Sequence, residues 1–462
     1  MKQYDAIVIG AGQAGGPLAK KLALAGKKTA LIEKRWIGGT CVNDGCTPTK
    51  TWVASAKMAY MARNSSPLGV KIKNFSVDMP KIKKRKDAIV HQFRDGSKKG
   101  LEATKGLDVI FGEATFTGDK TISVKLNDGG KTKEMKAELI FINTGAKTFI
   151  PEIDGLSDID YLTSTTILDL NHIPKHLLII GGNYIGLEFG QMFSRFGSKV
   201  TIIEKSGRIV SREDEDVSEE LTKILEAENI TIRTNAVTAG FKQKKGDKIT
   251  ANIKIGDKEE KIKCTHVLIG VGRTPQSGAL NLAKTGVKTD GRGAIKVDDK
   301  LETNVKGIYA LGDVKGGPAF THISYNDYTI VYRNLIKGEK LTTKNRPVPY
   351  CMFTDPQLGA IGINETEAKK QKLNYKVAKL PMAYVARAIE TGDTRGFMKA
   401  IVDADTKQIL GATILGAEGG ETMTTLQMAM MGGITYEEVR WCVFAHPLYA
   451  ESLNNLFMAL ET

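Results

Sequence analysis

Two of the five cysteines share one stretch, GGTCVNDGCTPTK, as Cys41 and Cys46 with four residues between them. Two sulfurs this close can ligate a metal, staple a loop, or shuttle electrons as a dithiol and disulfide. A structural zinc site takes four ligands, often as two C-x₂₋₄-C pairs or with histidine. The stretch contains no histidine, and Cys264, Cys351 and Cys442 are remote from it in sequence. On a regular helix, residues five apart lie about 7.5 Å apart along the axis. A disulfide needs its Cα atoms within about 7 Å. The connection is therefore expected to be irregular, and Asn43-Asp44-Gly45 supplies turn-forming residues. Thr47-Pro48 predicts a helix cap and a first-turn proline. Trp52, Val53, Ala56, Ala59 and Tyr60 follow at the spacing of one helix face. Cys46 then lies by a helix N-terminus, where a thiolate is stabilised. Far downstream, His446 is followed by Pro447 and, five residues on, by Glu451. Met423, Met428, Met430 and Met431 are soft-metal candidates, but their clustering reads first as a Met-rich helix.

The elements that must position these groups occur twice. Residues 4–33 read YDAIVIGAGQAGGPLAKKLALAGKKTALIE. The apolar run Ala6–Ile9 meets Gly10-x-Gly12-x-x-Gly15, an amphipathic stretch ends near Gly26, and a second apolar run closes on Glu33. Strand, glycine turn, helix, strand and acid make a dinucleotide-binding unit. Gly10 allows the tight turn, Gly12 lets the backbone approach a pyrophosphate, and Gly15 lets helix pack on strand. The helix N-terminus faces the phosphates, and Glu33 can accept from a ribose. Residues 176–204, HLLIIGGNYIGLEFGQMFSRFGSKVTIIE, repeat the unit. Gly181, Gly186, Gly197 and Glu204 stand 171 positions (181 − 10) after Gly10, Gly15, Gly26 and Glu33. Asn183 replaces the middle glycine. Asparagine tolerates positive φ, but its side chain crowds the pyrophosphate approach, so weaker binding or a shifted pose is expected there. Two units call for two nucleotides, a flavin held permanently and a nicotinamide that visits, joined by hydride transfer.

A chain of 462 residues exceeds one hydrophobic core, and two to four domains are expected. Its 41% apolar and 26% charged residues are those of an ordinary globular protein. No apolar run approaches the roughly 20 residues of a membrane span. MKQYDAIVIGAG enters a strand pattern at once, without the pattern of a signal peptide. A cytoplasmic location without a membrane partner is expected. Five cysteines in so long a chain do not make a disulfide framework. The net charge is +14, with KIKKRK at Lys81–Lys86 and a further pair at Lys98-Lys99. No aromatic residue interleaves the run and no nucleic-acid motif surrounds it. A solvated helix face is therefore read ahead of a nucleic-acid partner, with the charge helping to draw in anionic cofactors.

In their order, these motifs resemble the pyridine nucleotide-disulfide oxidoreductases, which include glutathione reductase, dihydrolipoamide dehydrogenase and mercuric reductase. The resemblance covers essentially the whole chain. GGTCVNDGCTPTK is similar to the redox-active disulfide segment. FINTGAKTFIPEIDG, with Thr144, Gly145 and Pro151, matches the exit from the flavin domain. The second glycine motif runs into Tyr184 and Glu188. VLIGVGRTPQ, with Gly272, Arg273 and Pro275, matches the return from the nicotinamide domain. TNVKGIYALGDV, with Gly312 and Asp313, resembles the second flavin motif. FAHPLYAESL carries His446 and Glu451 at the spacing of the family's acid–base pair, with Leu448 in place of the usual Thr. GGPAFTHISYNDY, RAIETGDTRGFMKAIVD and HPLYAESLNNLF are similar to the reactive-chlorine-resistance flavoprotein reductases, often labelled mercuric-reductase-like. The chain ends FMALET where a detoxifying mercuric reductase carries two adjacent cysteines, and no metal-binding domain precedes the first glycine motif. Both features point away from Hg(II) as the biological acceptor, and no resident metal site is expected.

The resemblance implies an α/β fold of two Rossmann-like domains, binding FAD and NAD(P), and a C-terminal α/β dimerisation domain. The boundaries expected are 1–150 and 278–342 for the FAD domain, 151–277 for the NAD(P) domain and 343–462 for the dimerisation domain. FAD falls to Gly10, Gly12, Gly15, Glu33, Gly39, Thr40, Lys50, Thr144, Gly145, Gly312 and Asp313. The nicotinamide cofactor falls to Gly181, Tyr184, Ile185, Gly186, Glu204, Gly272 and Arg273. The resemblance makes Cys41–Cys46 the redox disulfide. Cys46 faces the isoalloxazine and forms a charge-transfer contact, and Cys41 attacks substrate. Lys50, paired with Glu188, stands near flavin N5, and Tyr184 gates the nicotinamide pocket. His446, oriented by Glu451, serves the cysteine pair of the other subunit, so an obligate homodimer is implied. His322 is read as a packing or substrate-access residue. An acid at Glu204 favours the 2′-hydroxyl of NADH, with Lys205 and Arg208 keeping NADPH as the second candidate. The acceptor classes are a small-molecule disulfide or other oxidised sulfur, a reactive oxidant, and a metal ion. Dihydrolipoamide dehydrogenase is the alternative enzyme. A redox-sensing or nucleic-acid-binding flavoprotein is the alternative from another class.

Overall fold

The computed structural model describes residues 1–244 and 248–461, and the chain divides into two compact units. Unit 1 joins Met1–Thr51, Lys83–Phe149 and Gly272–Arg346, and unit 2 joins Trp52–Ile82, Ile150–Val271 and the chain from Pro347.

In unit 1 the apolar run Ala6–Ile9 lies in the strand Lys2–Ile9, at the centre of a six-stranded sheet. It pairs in parallel with Thr29–Glu33 on one side and Lys133–Ile142 on the other. Leu107–Gly118 and Ile308–Ala310 extend the sheet in parallel. Thr121–Leu126 runs antiparallel between Leu107–Gly118 and Lys133–Ile142. Ile7 and Val8 are adjacent in sequence, so they point to opposite faces, and each is fully buried in a different apolar cluster. A continuous apolar run is what a strand covered on both sides requires. The helices Gly15–Leu24 and Thr321–Lys337 cover one of these faces through Leu18, Leu22, Tyr328 and Val331.

Unit 2 carries the second glycine unit in a five-stranded parallel sheet. Its order is Ile230–Arg233, Lys199–Ile203, His176–Ile180, His266–Ile269, Tyr161–Leu162. The helix Tyr184–Phe196 connects the strands His176–Ile180 and Lys199–Ile203. A three-stranded antiparallel sheet, Ala236–Lys242, Ile249–Ile255 and Lys258–Cys264, precedes His266. The C-terminal part is a five-stranded antiparallel sheet ordered Tyr350–Met352, Gln357–Gly362, Ile409–Gly416, Phe397–Asp403, Tyr375–Pro381. The Met-rich segment forms the helix Gly419–Gly432, which buries Met423 and Leu426 and leaves Met428 and Met431 exposed.

Buried ion pairs join the parallel and C-terminal sheets of unit 2. Arg195 bonds Glu228 and Asp355, each at 2.7 Å, and stacks over Tyr60 at 4.0 Å. Lys399 bonds Asp214 at 3.0 Å and Glu365 at 2.9 Å. The basic run lies at the start of the helix Met79–Glu102. Lys83 and the buried Lys86 both pair with Asp87, and Arg85 donates to the Thr51 carbonyl at 3.2 Å. Three of its five cations thus serve internal bonds, while Lys81 and Lys84 face solvent. Among the described residues, no helix is long and apolar enough to cross a membrane.

Candidate active site

The first glycine turn is held by close backbone contacts within unit 1. Gly10 adopts φ +99°, and a Cβ there would lie 2.3 Å from the Asn143 carbonyl oxygen. Gly39, at φ +61°, presses against the same turn, where its Cβ would lie 2.8 Å from Gly12 Cα. The helix Gly15–Leu24 begins after Ala14 with no side-chain cap. Its first N–H groups find acceptors outside the helix proper, Gly16 on the Gly12 carbonyl at 3.1 Å, while its dipole still favours an anion ahead of it. The buried Glu33 carboxylate accepts from the Ala11 N–H at 2.8 Å and the Arg35 N–H at 2.6 Å. Sequence reasoning passed over Asn143. Its Oδ1 accepts from the Gly15 N–H at 2.9 Å, and its Nδ2 donates to the Leu311 carbonyl at 2.8 Å. One buried carboxamide thus ties the first glycine motif to the segment that carries Gly312 and Asp313. A polar residue directly after the apolar run Leu139–Ile142 was the available signal.

The sulfurs sit on two consecutive helices. Cys41 lies on the six-residue helix Gly39–Asp44, and Cys46 opens the helix Cys46–Arg63. The irregular connection is shorter than Asn43-Asp44-Gly45. It narrows to Gly45, at φ −135° and ψ −115°, because Asn43 and Asp44 remain helical. Thr47 is inside the second helix rather than capping it, and Pro48 keeps its first-turn place. The apolar face reads as the spacing requires: Trp52, Ala56 and Ala59 are buried. Cys41 is half-buried, Cys46 is exposed, and both are free thiols. The Thr321 hydroxyl lies 3.3 Å from Cys46 Sγ and also hydrogen-bonds Cys41. A hydrogen bond with Cys46, burial, and the charge of Cys46 push the Cys41 thiol well above its ordinary range. Lys50 follows Cys46 by one turn on the same helix face. Thr321 was not singled out by sequence reading, although neighbouring His322 was. His322 is exposed and stacks on Phe320 at 5.4 Å.

Asp313 lies in a one-turn helix, Gly312–Lys315. Burial raises its carboxyl pKa, and the nearest cation is Arg273 Nε at 3.8 Å, beyond a hydrogen bond. Arg273 Nε is itself buried without a hydrogen-bond partner. The short antiparallel pair Ala146–Thr148 and Arg273–Pro275 brings Thr144, Gly145, Gly272 and Arg273 together. Thr144 and Gln276 lock it with two hydrogen bonds of 2.7 and 3.0 Å.

In unit 2, Glu204 accepts from the Gly182 N–H at 2.7 Å and the Ser206 N–H at 2.8 Å. A Cβ on Gly186 would lie 2.0 Å from the Gly181 carbonyl oxygen, which is why helix packs on turn only with glycine there. Asn183 needs no left-handed backbone. It is extended, at φ −110°, and its Oδ1 accepts from the Tyr184 N–H at 2.9 Å. Tyr184 is exposed and Ile185 partly buried. The buried Glu188 accepts from the Phe353 N–H at 2.8 Å. Arg208 donates to the Ser211 and Glu213 carbonyls, while Lys205 is exposed. His446 Nδ1 lies 3.1 and 2.9 Å from the two Glu451 oxygens. The predicted residues thus form two groups, one in each unit: the sulfurs, Lys50 and the first glycine turn in unit 1, and Tyr184, Glu188, Glu204, His446 and Glu451 in unit 2.

Residues 4–327 match the family model of pyridine nucleotide-disulphide oxidoreductases, and 348–457 match that family's dimerisation domain. The chain belongs to the pyridine nucleotide-disulfide oxidoreductases. Among the relatives of this oxidoreductase is the probable pyridine nucleotide-disulfide oxidoreductase RclA of Escherichia coli, 37% identical over the whole of both chains. A mercuric reductase of Bacillus cereus is 34% identical over 98% of this chain and 70% of its own. A solved copper(II) complex of the HOCl-induced flavoprotein disulfide reductase RclA from E. coli superposes with a TM-score of 0.91, at 36% identity over 99% of both chains.

Oxidoreductases of this family are FAD-dependent and use NAD(P)H, and unit 1 fits FAD on its own chemistry. The glycine turn presents backbone without side chains at the N-terminal end of a helix, whose dipole favours a pyrophosphate. Arg273 Nε is buried without a hydrogen-bond partner and the partly buried Asp313 carboxyl lies beyond hydrogen-bond reach of it, which suits a polyol that both donates and accepts. The α/β class, the two dinucleotide-binding units and the C-terminal domain agree with the sequence reading.

Proposed function

We propose that this oxidoreductase passes electrons from NADH to a small oxidised acceptor through the Cys41–Cys46 pair. The observation that carries the reading is the sulfur pair at a helix start, bridged by the Thr321 hydroxyl in the unit that also holds the first glycine cradle. FAD, when bound, would supply the capacity to accept hydride from the nicotinamide and pass an electron pair to sulfur. The protein does the rest. Gly10, Gly12, Gly15, Gly39 and Thr40 hold the pyrophosphate end, Glu33 the ribose, and Thr144, Gly145, Gly312 and Asp313 the remainder. Lys50 places a cation beside Cys46, and Glu188 is its proposed partner. Cys46 carries the thiolate. Cys41 attacks the acceptor, taking up one of its atoms as the leaving group departs, and Cys46 displaces the second product to close the disulfide. His446, held by Glu451, supplies the proton to the leaving group.

The C-terminal region exposes Tyr384, Met428, Met431, Trp441, Val443 and Leu448, an apolar surface suited to burial against a second copy. A homodimer in which His446 serves the partner's sulfurs is the proposed assembly. The domains are proposed as read from the sequence: FAD, 1–150 and 278–342; nicotinamide, 151–277; interface, 343–462. NADH is favoured because Glu204 stands at the ribose position and Arg208 is turned to backbone carbonyls. Gly181, Tyr184, Ile185 and Gly186 complete that site, while Gly272 and Arg273, which fall in unit 1, are proposed as cofactor residues there.

The RclA and mercuric reductase relatives suggest acceptors of three classes: oxidised sulfur, a reactive-chlorine product, or a soft metal ion. The test is NADH and NADPH oxidation by wild type and Cys41→Ala with lipoamide, glutathione disulfide, hypothiocyanous acid, Cu(II) and Hg(II). Turnover that survives Cys41→Ala would remove the sulfurs from the reaction, and a clear NADPH preference would overturn the role given to Glu204.

A further inference from the structure

At the amino ends of the parallel strands of unit 2, two imidazoles meet edge to edge. His172 lies in the loop before the strand His176–Ile180, and His266 opens the adjacent strand His266–Ile269. Their Nε2 atoms are 3.2 Å apart, while the ring centroids are 5.2 Å apart, so the nitrogen edges face each other rather than the rings stacking.

The neighbours of the other ring nitrogens fix the tautomers. The Thr265 hydroxyl donates to the His176 carbonyl at 2.9 Å, which consumes its one proton. Its oxygen can then only accept from His266 Nδ1, 3.0 Å away. His266 is therefore the Nδ1–H tautomer, and its Nε2 is a bare lone pair. His172 Nδ1 lies 3.2 Å from Asn171 Oδ1, an atom that accepts but cannot donate. With the Asn171 amide in this orientation, His172 is also protonated at Nδ1. Two bare Nε2 lone pairs at 3.2 Å repel unless a cation lies between them.

We propose that His172 and His266 form a two-nitrogen chelating site for a late first-row divalent cation such as Cu(II), Ni(II) or Zn(II). With metal–nitrogen bonds of about 2.0–2.1 Å, the observed separation gives an N–metal–N angle of about 100°, between the octahedral and tetrahedral values. Imidazole is a preferred ligand for these ions, and Asn171 and Thr265 supply the outer hydrogen bonds that orient ligating histidines. Among the described residues no third His, Cys, Asp or Glu joins the pair. Water completes the shell and the site stays open to solvent. The nucleotide turn at Gly181 leaves the opposite end of the same five-residue strand, roughly 16 Å away at strand rise.

The test uses the FAD-loaded full chain carrying Cys41→Ser and Cys46→Ser, so that the active-site sulfurs do not compete. Titration with Cu(II) alone is followed by calorimetry and by electron paramagnetic resonance. One equivalent with two-nitrogen hyperfine structure is expected, and His172→Gln or His266→Gln weakens it at least tenfold and leaves one nitrogen. The glutamine variants are checked for unchanged melting without metal. In the otherwise wild-type chain they leave NADH turnover unaltered. Binding with unchanged strength in both variants overturns the proposal. So does the absence of Cu(II) binding below millimolar concentration, which would make the pair an ordinary hydrogen bond with Asn171 reversed.

Discussion

Asn143→Ala tests whether one carboxamide builds the flavin site. The substitution strips the Gly15 N–H of its acceptor at 2.9 Å and the Leu311 carbonyl of its donor at 2.8 Å, both in buried surroundings. A buried polar group left unsatisfied costs about 1–3 kcal/mol. Two such groups would cost about 2–6 kcal/mol, and water entering the space left by the side chain brings this toward the low end. Both groups belong to the proposed flavin cradle, so the loss should fall on FAD binding. About 2–3 kcal/mol corresponds to a roughly 30- to 150-fold rise in Kd. The assay titrates apoprotein into FAD and follows quenching of flavin fluorescence, with melting measured at saturating FAD to confirm folding. Asn304 is the control, since it bonds the Lys288 N–H and the Gly286 carbonyl, both at 2.9 Å, on an exposed loop. Asn304→Ala should leave the FAD Kd within twofold. A Kd for Asn143→Ala within threefold of wild type would refute the tie between the two motifs.

Thr321→Val removes the hydroxyl that touches both sulfurs and lowers the Cys41 pKa against the influence of Cys46. The thiol exchange step should slow about 2- to 10-fold, and its pH profile should move to higher pH; an unmoved profile would leave Thr321 a packing residue. Asn183→Gly frees the Tyr184 N–H for a phosphate and should lower the KM for NADH about 2- to 5-fold, at a loss of a few tenths of a kcal/mol of stability. Arg195→Met strands Glu228 and Asp355, although Arg395 still reaches both. A loss of about 3 kcal/mol lowers the melting point by roughly 6–12 °C. Burial raises the Asp355 pKa, but Arg195, Lys57 and Arg395 outweigh it and the net shift is downward. That stabilisation is present above the unfolded carboxylate value of about 3.9 and is lost as pH falls through the lower folded value. The gap between wild type and variant should therefore be flat from pH 6 to 8 and narrow in acid.

The glycine units were legible because each demand is local. Gly15 and Gly186 sit where a side chain would strike the carbonyl oxygen five residues earlier, of Gly10 and Gly181, and that pattern repeats at one offset. Cys41 and Cys46 were legible for the same reason. Asn143, Thr321, Arg195 and the histidine pair were not. Each acts across more than 90 residues: Asn143 on Gly15, Thr321 on Cys46, Arg195 on Asp355, His172 on His266. No spacing rule connects such positions. The start of the second helix was misplaced by two residues because Thr47-Pro48 is a fair capping signal, yet Gly45 already breaks the chain and lets Cys46 begin the turn.

The two glycine turns also differ in a way that bears on why one nucleotide stays and the other leaves. In unit 1 the turn is braced from outside: Gly39 presses on Gly12, and Asn143 bonds Gly15 while holding Leu311. Three segments must separate before the proposed flavin cradle opens. In unit 2 the equivalent residue, Asn183, turns inward and uses its carboxamide on the first N–H of its own helix. That N–H is satisfied before any phosphate arrives, so an arriving nucleotide gains less from it. The first helix N–H is taken in both turns, by Asn143 in unit 1 and by Asn183 in unit 2, so the difference lies in the bracing: a turn held by other segments favours a resident cofactor, and one capped by its own flanking residue favours one that exchanges.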